Sequence, residues 1–483
     1  MLDTQGHLLA CVQAEWSYTP SGADGDFFAG YEFDPQLFWG VLSGAIRGAL
    51  ARAGIPPSSV AGVAATSQRE GCVLLDASGR EVLATPSFDS RAMQEGAEII
   101  ERIGAERLYR ITGHFPPFTF PLARLLWWRR RFPDRPLSSF LMISDWVTYR
   151  LSGARVAEPS NASESLLFDI EKRTWSIELA ETFGFSSSFL PDLLQPGELA
   201  GRVTREAARE TGLLAGTPVY VGGADSQCAL LGSGALGEAD VGTVIGTSAP
   251  VLLILDRPQF DTERYLWAGV HLVPDRWILE SNGLEAGSAY RWLLDLVGLQ
   301  AEHGEAYDRA GAEAETARTD APVYSFLGPT IFNLVNMNPA RAAGMLFARP
   351  FRGERPGRPE ILRGFLESVA FAVRANVEQL QAFTGTPVRR LTASGGMMRG
   401  KLFRRLLAEV MPLPVDVSTV VESSLVGCAV LAGVGSGTYA DLPSAVREGV
   451  WTERLVPEEV GRYEERYRKW RELHETLERV NIP

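Results

Sequence analysis

Along this chain, short apolar runs of period 2 alternate with longer amphipathic stretches of period 3.6, from one end to the other. After Asp34-Pro35, a capping residue and a first-turn proline, Phe38, Val41, Leu42, Ala45, Ile46 and Ala49 recur at helical spacing until Gly54-Ile55-Pro56-Pro57 stops them. VAGVAATS (60–67) reads as a buried strand, and CVLLDASGREVLA (72–84) as a hairpin turning at Ala77-Ser78-Gly79. ISDWVTYRLSG (143–153) is a helix ended by Gly153, and TPVYVGGAD (217–225) is a strand ending in glycines. GTVIGTSAPVLLIL (242–255) is two apolar strands around a small-residue turn. The last periodic stretch, 457–480, carries Val460, Tyr463, Tyr467, Trp470 and Leu477 as an apolar stripe amid charges. That stripe lasts only about two and a half heptads, which predicts packing and not coiled-coil pairing. At the other end, Leu2, the turn Asp3-Thr4-Gln5-Gly6 and Leu8-Leu9-Ala10 read as the end of one strand, a tight turn and a second strand. The alternation as a whole predicts α/β layers.

A length of 483 residues exceeds one ordinary core, so two or three domains are expected. The glycine-rich LLGSGALGEAD (230–240) is the best boundary, giving domains at 1–234 and 235–483. A net charge of -12 argues against a nucleic-acid surface, yet it leaves room for a small anion held by backbone N–H groups. Cys11, Cys72, Cys228 and Cys428 lie far apart without a CxxC pair, which fits reduced thiols in a cytoplasmic compartment. There is no secretory leader, and the longest uncharged stretches, 321–340 and 423–440, are broken by Pro or Gly, so no membrane span is expected.

Generic motifs carry little. GSGALG (232–237) matches G-x-G-x-x-G, but the residues before it, 226–231, read as a helix, so the glycines are a helix stop and linker. No nucleophile elbow, no Walker-type loop and no paired-histidine zinc motif occurs among the five histidines. Four stretches remain. In GGADSQ, Asp225 follows a strand and opens a helix; it either caps that helix or presents a carboxylate where α/β sheets hold ligands. Gly246-Thr247-Ser248 is either a hairpin tip or a turn that wraps a phosphate. ASGGMMRG (393–400) is a βα loop with room for a nucleotide. Arg69 and Glu70 at a strand end, echoed by Asp89 and Arg91, are either salt-bridged or suited to polyol hydroxyls, one donating and the other accepting.

Taken in order, QRE, FDSR, ISDWVTYRLSG, EPSNASESLLFD, GGADSQ, GTS, ASGGMMRG and ESSLVGCAV resemble the FGGY family of carbohydrate kinases over essentially the whole chain. The resemblance implies a two-domain actin-like (ribonuclease-H-like) fold with the active site in the interdomain cleft. It implies ATP and Mg²⁺ as cofactors, and phosphoryl transfer to a hydroxyl of a small sugar, polyol or autoinducer-2-like hydroxyketone. It makes Asp225 the catalytic base and a metal ligand. Gln68, Arg69, Glu70, Asp89 and Gln227 would hold substrate hydroxyls. Gly246, Thr247 and Ser248 would bind phosphate, and Gly395 and Gly396 adenosine. A small-molecule substrate and at most a homodimer are the expected partners.

Departures from the family pattern are visible as well. Gln68-Arg69-Glu70 argues against xylulose, since xylulokinases carry a Met-His pair there. Ala249-Pro250 follows the GTS turn, 332–344 lacks a Gly-Glu-Arg-x-Pro stretch, and Met397 and Met398 stand where smaller or polar residues are usual. The family opens on an apolar strand and an Asp-x-Gly-Thr turn that binds phosphate; this sequence begins just after such an element. Two expectations follow: the strand lies upstream of Met1, or the protein is a noncatalytic sugar-binding relative.

Overall fold

The helix foreseen after Asp34 runs Pro35–Ala53. The Asp34 carboxylate accepts the amides of Gln36 and Leu37 at 2.7 and 3.2 Å, and Gly54 closes it in the left-handed region at φ 65°. It belongs to a computed structural model that describes residues 1–21, 30–299, 305–318, 323–335, 342–347, 355–457, 459 and 461–482. Residues 336–341, within the stretch noted above for its missing motif, lie outside those described.

The chain forms two compact units. The first comprises Met1–Gly232, Asp256–Ile278 and Ser424–Val450; the second comprises Ser233–Leu255, Leu279–Ser423 and Trp451–Pro483. One crossing, at Gly232/Ser233, coincides with the glycine-rich stretch. The later crossings return 256–278 and 424–450 to the first unit.

In the first unit, Pro218–Ala224 pairs antiparallel with Leu199–Arg202 and parallel with Val63–Ser67, which forms the sheet edge. The parallel register sets Gly223 opposite Thr66 and Ala224 opposite Ser67. The two strands therefore end together, delivering Asp225 and Gln68-Arg69 to one sheet end, where open α/β sheets hold ligands. A second sheet, antiparallel throughout, orders Glu81–Thr85, Cys72–Asp76 and Leu137–Met142. Period 2 is legible in its core. Cys72 and Leu74 pack with Phe120, Leu122 and Phe140, while Val73 and Leu75 pack with Phe38, Trp39 and Trp146 on the other face. Helix Ser423–Gly435 lies so close to helix Asp225–Gly232 that a Cβ on Gly427 would stand 1.9 Å from the Cys228 carbonyl oxygen. Only glycine fits there.

In the second unit, Asp240–Val244 pairs antiparallel with Ser248–Leu255 and parallel with Arg390–Ser394, and the sheet continues through Val415–Ser418 to Thr452–Leu455. The 27-residue helix Arg358–Thr384 covers it, burying Phe365, Val369 and Phe371. Against Phe371 pack Tyr463, Tyr467 and Trp470 of the last apolar stripe.

Two expectations change. The final helix is Glu464–Leu477, shorter than 457–480, because Gly461 takes φ 81° just ahead of it; Val460 lies outside the described residues. The opening hairpin reduces to one bridge, Leu2 to Leu8, around the Asp3–Gly6 turn. The Asp3 carboxylate takes the Gln5 and His7 amides, both at 2.9 Å, and so closes the turn. No helix among the described residues is long and apolar enough to cross a membrane.

Candidate active site

Asp225 opens the helix that follows the Pro218–Ala224 strand and is half-buried, with Oδ1 accepting the Ser226 hydroxyl at 3.2 Å. Burial pushes its carboxyl above the ordinary range; Arg69 opposes the rise and Glu164 adds to it. These three charges thus share one neighbourhood. Arg69 is buried, its guanidinium 3.6 Å from Glu164 Oε1 and 5.6 Å from the centre of the Trp267 ring. His114 Nε2 stands 3.1 Å from Glu164 Oε2.

Glu70 is buried and takes φ +59°, a left-handed conformation costly for a residue with a Cβ. The strain is fixed by two bonds: the Gly71 amide donates to the Arg69 carbonyl at 2.6 Å, and Arg124 donates to the Glu70 carbonyl at 2.6 Å. Arg124 is fully buried and also reaches the carbonyls of Thr119, Asp89 and Ser87, at 2.7, 3.1 and 3.2 Å. It is a clamp on the loops that carry Glu70 and Asp89.

Asp89, grouped with those residues by the resemblance, is fully buried with both oxygens engaged. Oδ1 accepts the Tyr31 amide and Arg91 Nε, each at 2.9 Å; Oδ2 accepts Arg91 Nε at 3.0 Å and lies 3.2 Å from Arg124 Nε. Its geometry serves the clamp. Gln68 likewise ties loops together, accepting the Ser87 amide and hydroxyl at 3.0 and 2.9 Å and donating to the Tyr18 hydroxyl at 3.0 Å. Gln227 differs: it is fully buried, and neither amide atom has a hydrogen-bond partner among the described residues. A buried amide left so costs on the order of 1–3 kcal/mol, which marks the position as one that a ligand or water can satisfy.

A polar network stands behind Asp225. Glu158 caps helix Pro159–Ser163, accepting the Asn161 amide at 3.0 Å and the Ser160 hydroxyl; Ser160 Oγ in turn accepts the Ala224 amide at 3.0 Å. Burial pushes the Glu158 carboxyl up to about 7, and burial plus the Glu158 charge lift Asp145 as well. A raised carboxyl holds its proton in the folded state at pH values where the unfolded chain has lost it. Stability is therefore full below the ordinary carboxylate range and falls as pH rises toward 7. Urea midpoints measured from pH 5 to 8 should decline up to about pH 7, and Glu158→Gln should flatten that decline. A slope unchanged by the substitution would rule Glu158 out as its source.

The second unit holds the other set. The turn Gly246-Thr247-Ser248 leaves Thr247 exposed and is propped by the start of helix Gly287–Leu296: the Ala286 amide donates to the Thr247 carbonyl and the Gly287 amide to the Gly246 carbonyl, both at 2.9 Å. The register of Val244 opposite Ser394 brings Gly395 beside this turn. Gly395 takes φ +99°, and a Cβ there would meet the Ile245 carbonyl oxygen at 2.6 Å, so glycine is required. The Met397 amide donates to the Ile245 carbonyl at 3.1 Å, Gly396 is exposed, and the Met398 side chain is buried. A small-residue turn and a glycine loop thus lie together, an arrangement that suits the phosphates and sugar of a nucleotide. Among the described residues no group of three or more metal-ligating side chains occurs. Mg²⁺ needs no such cage, since one or two carboxylates plus substrate phosphates hold it; the half-buried Asp225 fits that demand.

The sequence reading missed Glu164, His114 and Arg124. Glu164 lay inside the quoted EPSNASES stretch, and a second acid six residues after Glu158 was the available signal.

Comparison with known proteins shows the family. Residues 2–232 match the model for the FGGY family of carbohydrate kinases, N-terminal domain, and residues 241–436 that for the C-terminal domain. An autoinducer-2 kinase of Salmonella paratyphi B is 31% identical over 494 residues, covering 98% of this chain and 91% of its own length. One from Yersinia enterocolitica is 32% identical over 466 residues, covering 94% and 87%. Among solved structures, the xylulose kinase of Rhodospirillum rubrum superposes with a TM-score of 0.78 at 26% identity, over 95% of this chain and 92% of that one. The glycerol kinase of Plasmodium falciparum with ADP shares the fold, with a TM-score of 0.78 at 18% identity over 97% and 93%. With both domain models matched in order along the chain, the chain belongs to the FGGY family of carbohydrate kinases.

Proposed function

We propose that this kinase transfers the γ-phosphoryl group of ATP to a hydroxyl of a small, neutral polyol or hydroxyketone, with an autoinducer-2-like compound the leading acceptor. The observation that carries the reading is the half-buried Asp225 at a strand end beside Arg69, its carboxyl raised by burial. Asp225 takes the proton of the acceptor hydroxyl as its oxygen bonds to the γ-phosphorus and the bond to ADP breaks, leaving a phosphate ester. Arg69 donates to acceptor hydroxyls, Glu70 accepts from them, and the unpartnered amide of Gln227 supplies both functions. Thr247, Ser248 and Gly246 receive phosphate, and Gly395-Gly396 the nucleoside. Mg²⁺, held through Asp225 and the phosphates, would neutralise charge developing on the transferring group.

Neutrality of the acceptor follows from the charges around Arg69. Its guanidinium is already matched by Glu164, and Asp225 is close by, so a sugar acid would meet uncompensated carboxylates. Autoinducer-2 is favoured over xylulose by the names of the relatives most similar in sequence and by the Arg69-Glu70 pair. The cytoplasm, where ATP is available, is the proposed site of action. The test is ADP release from Mg·ATP with autoinducer-2, glycerol, D-xylulose and gluconate in turn. Release should depend on a neutral acceptor and be least with gluconate. Tight acceptor binding with no ADP release from any of them would favour a noncatalytic sugar-binding protein.

A further inference from the structure

Beside Arg69 stands a pair of side chains that the transfer step itself does not use. Glu164 is fully buried and His114 nearly so, at 1% exposure. The His114 Nδ1 lies 2.8 Å from the Thr112 carbonyl oxygen, which can only accept, so Nδ1 carries a proton. Its Nε2 lies 3.1 Å from Glu164 Oε2. The other oxygen, Oε1, lies 3.6 Å from Arg69. Burial works against an ionised Glu164, but His114 and Arg69 together hold its carboxyl below the ordinary range.

The order of these contacts has a direction. Backbone holds His114, His114 forms a close polar contact with Glu164, and Glu164 faces the Arg69 guanidinium, whose central carbon lies over the Trp267 ring. Guanidinium is planar and offers five donors, so fixing one edge and one face determines where the remaining donors point.

We propose that Glu164, held by His114, is a positioning residue that fixes Arg69 as the hydroxyl donor of the acceptor site and, by matching its charge, selects neutral acceptors over acidic ones. This rests on the reading of Arg69 as part of the acceptor site.

Titration calorimetry without nucleotide tests it, since binding is then scored apart from catalysis. The probes are autoinducer-2, glycerol, D-xylulose and gluconate. Glu164→Gln keeps the side chain's shape and removes its charge. It should weaken binding of the best neutral acceptor by about tenfold or more, the scale of one hydrogen bond to a charged group. It should also shift the gluconate-to-neutral preference toward gluconate. Glu164→Asp, which restores the charge, should recover the neutral preference. A purely structural role would lower the melting temperature without changing the ratio between acceptors. Unchanged affinity and ratio in Glu164→Gln would overturn the proposal.

Failure of the kinase reading looks different: the wild type binds an acceptor and never releases ADP, and the Glu164 effect on binding persists. If the wild type binds none of the four probes, the acceptor-site role is overturned.

Discussion

Replacing Asp225 with asparagine lowers turnover by about 10²–10⁴-fold, the range over which a positioned general base contributes. Asparagine keeps the size of the side chain and an oxygen for the Ser226 hydroxyl, but it cannot take a proton. Stability should not fall with activity. The wild-type carboxyl is raised because burial penalises its charge, and a neutral amide is free of that penalty, so the melting temperature should stay level or rise. The check is kcat alongside thermal melting of the same preparation. Near-wild-type turnover in a folded variant would remove Asp225 from the role of base. A folded variant with lost turnover and retained acceptor binding is the pattern this site requires.

The second large effect falls on stability. Arg124→Ala should destabilise the first unit by about 3–5 kcal/mol, as expected when one partner of a buried charge pair is removed. The substitution empties a fully buried position, leaves Asp89 with fewer donors and frees the carbonyls of Glu70, Ser87, Asp89 and Thr119. Arg124→Lys should recover little, because a single ammonium cannot reach four carbonyls from different directions. Urea unfolding measures both. A loss below about 1 kcal/mol, the scale of one ordinary hydrogen bond, would show that the loops holding Glu70 and Asp89 stand without the clamp.

What the sequence disclosed and what it hid divide along the range of the interactions. Helix Pro35–Ala53 was legible because its signals are adjacent: Asp34, Pro35, the apolar spacing and Gly54. Asp225, Arg69, Gly246–Ser248 and Gly395-Gly396 stand out in the sequence because each sits where a strand stops, while the roles proposed for them come from the family resemblance. Arg124 was not, since it acts on carbonyls as many as 54 residues away, and a sequence gives backbone oxygens no letters. Glu164 and His114 were hidden likewise. Neither marks a motif, and their meaning comes from a fold that buries both beside Arg69.

Asp89 shows a related limit. Residue type and spacing place it among groups that could meet a substrate, but they do not show that the Tyr31 amide and two guanidinium groups already converge on it. The division of the chain was half-visible. A glycine-rich stretch marked the crossing at Gly232/Ser233, but 256–278 and 424–450 look like ordinary members of the later sequence and pack with the earlier one. At the amino end the sequence marks the turn, while the two strands it suggests shorten to the single Leu2–Leu8 bridge.

The most direct test follows the phosphoryl group itself. ATP labelled at the γ-phosphate is incubated with the protein, Mg²⁺ and the neutral acceptor that binds best, and the label is then located. The account predicts label in an acid-stable phosphate ester of the acceptor, appearing in step with ADP and absent with Asp225→Asn. Label that stays in ATP, or reaches only inorganic phosphate while the acceptor is bound, would contradict it.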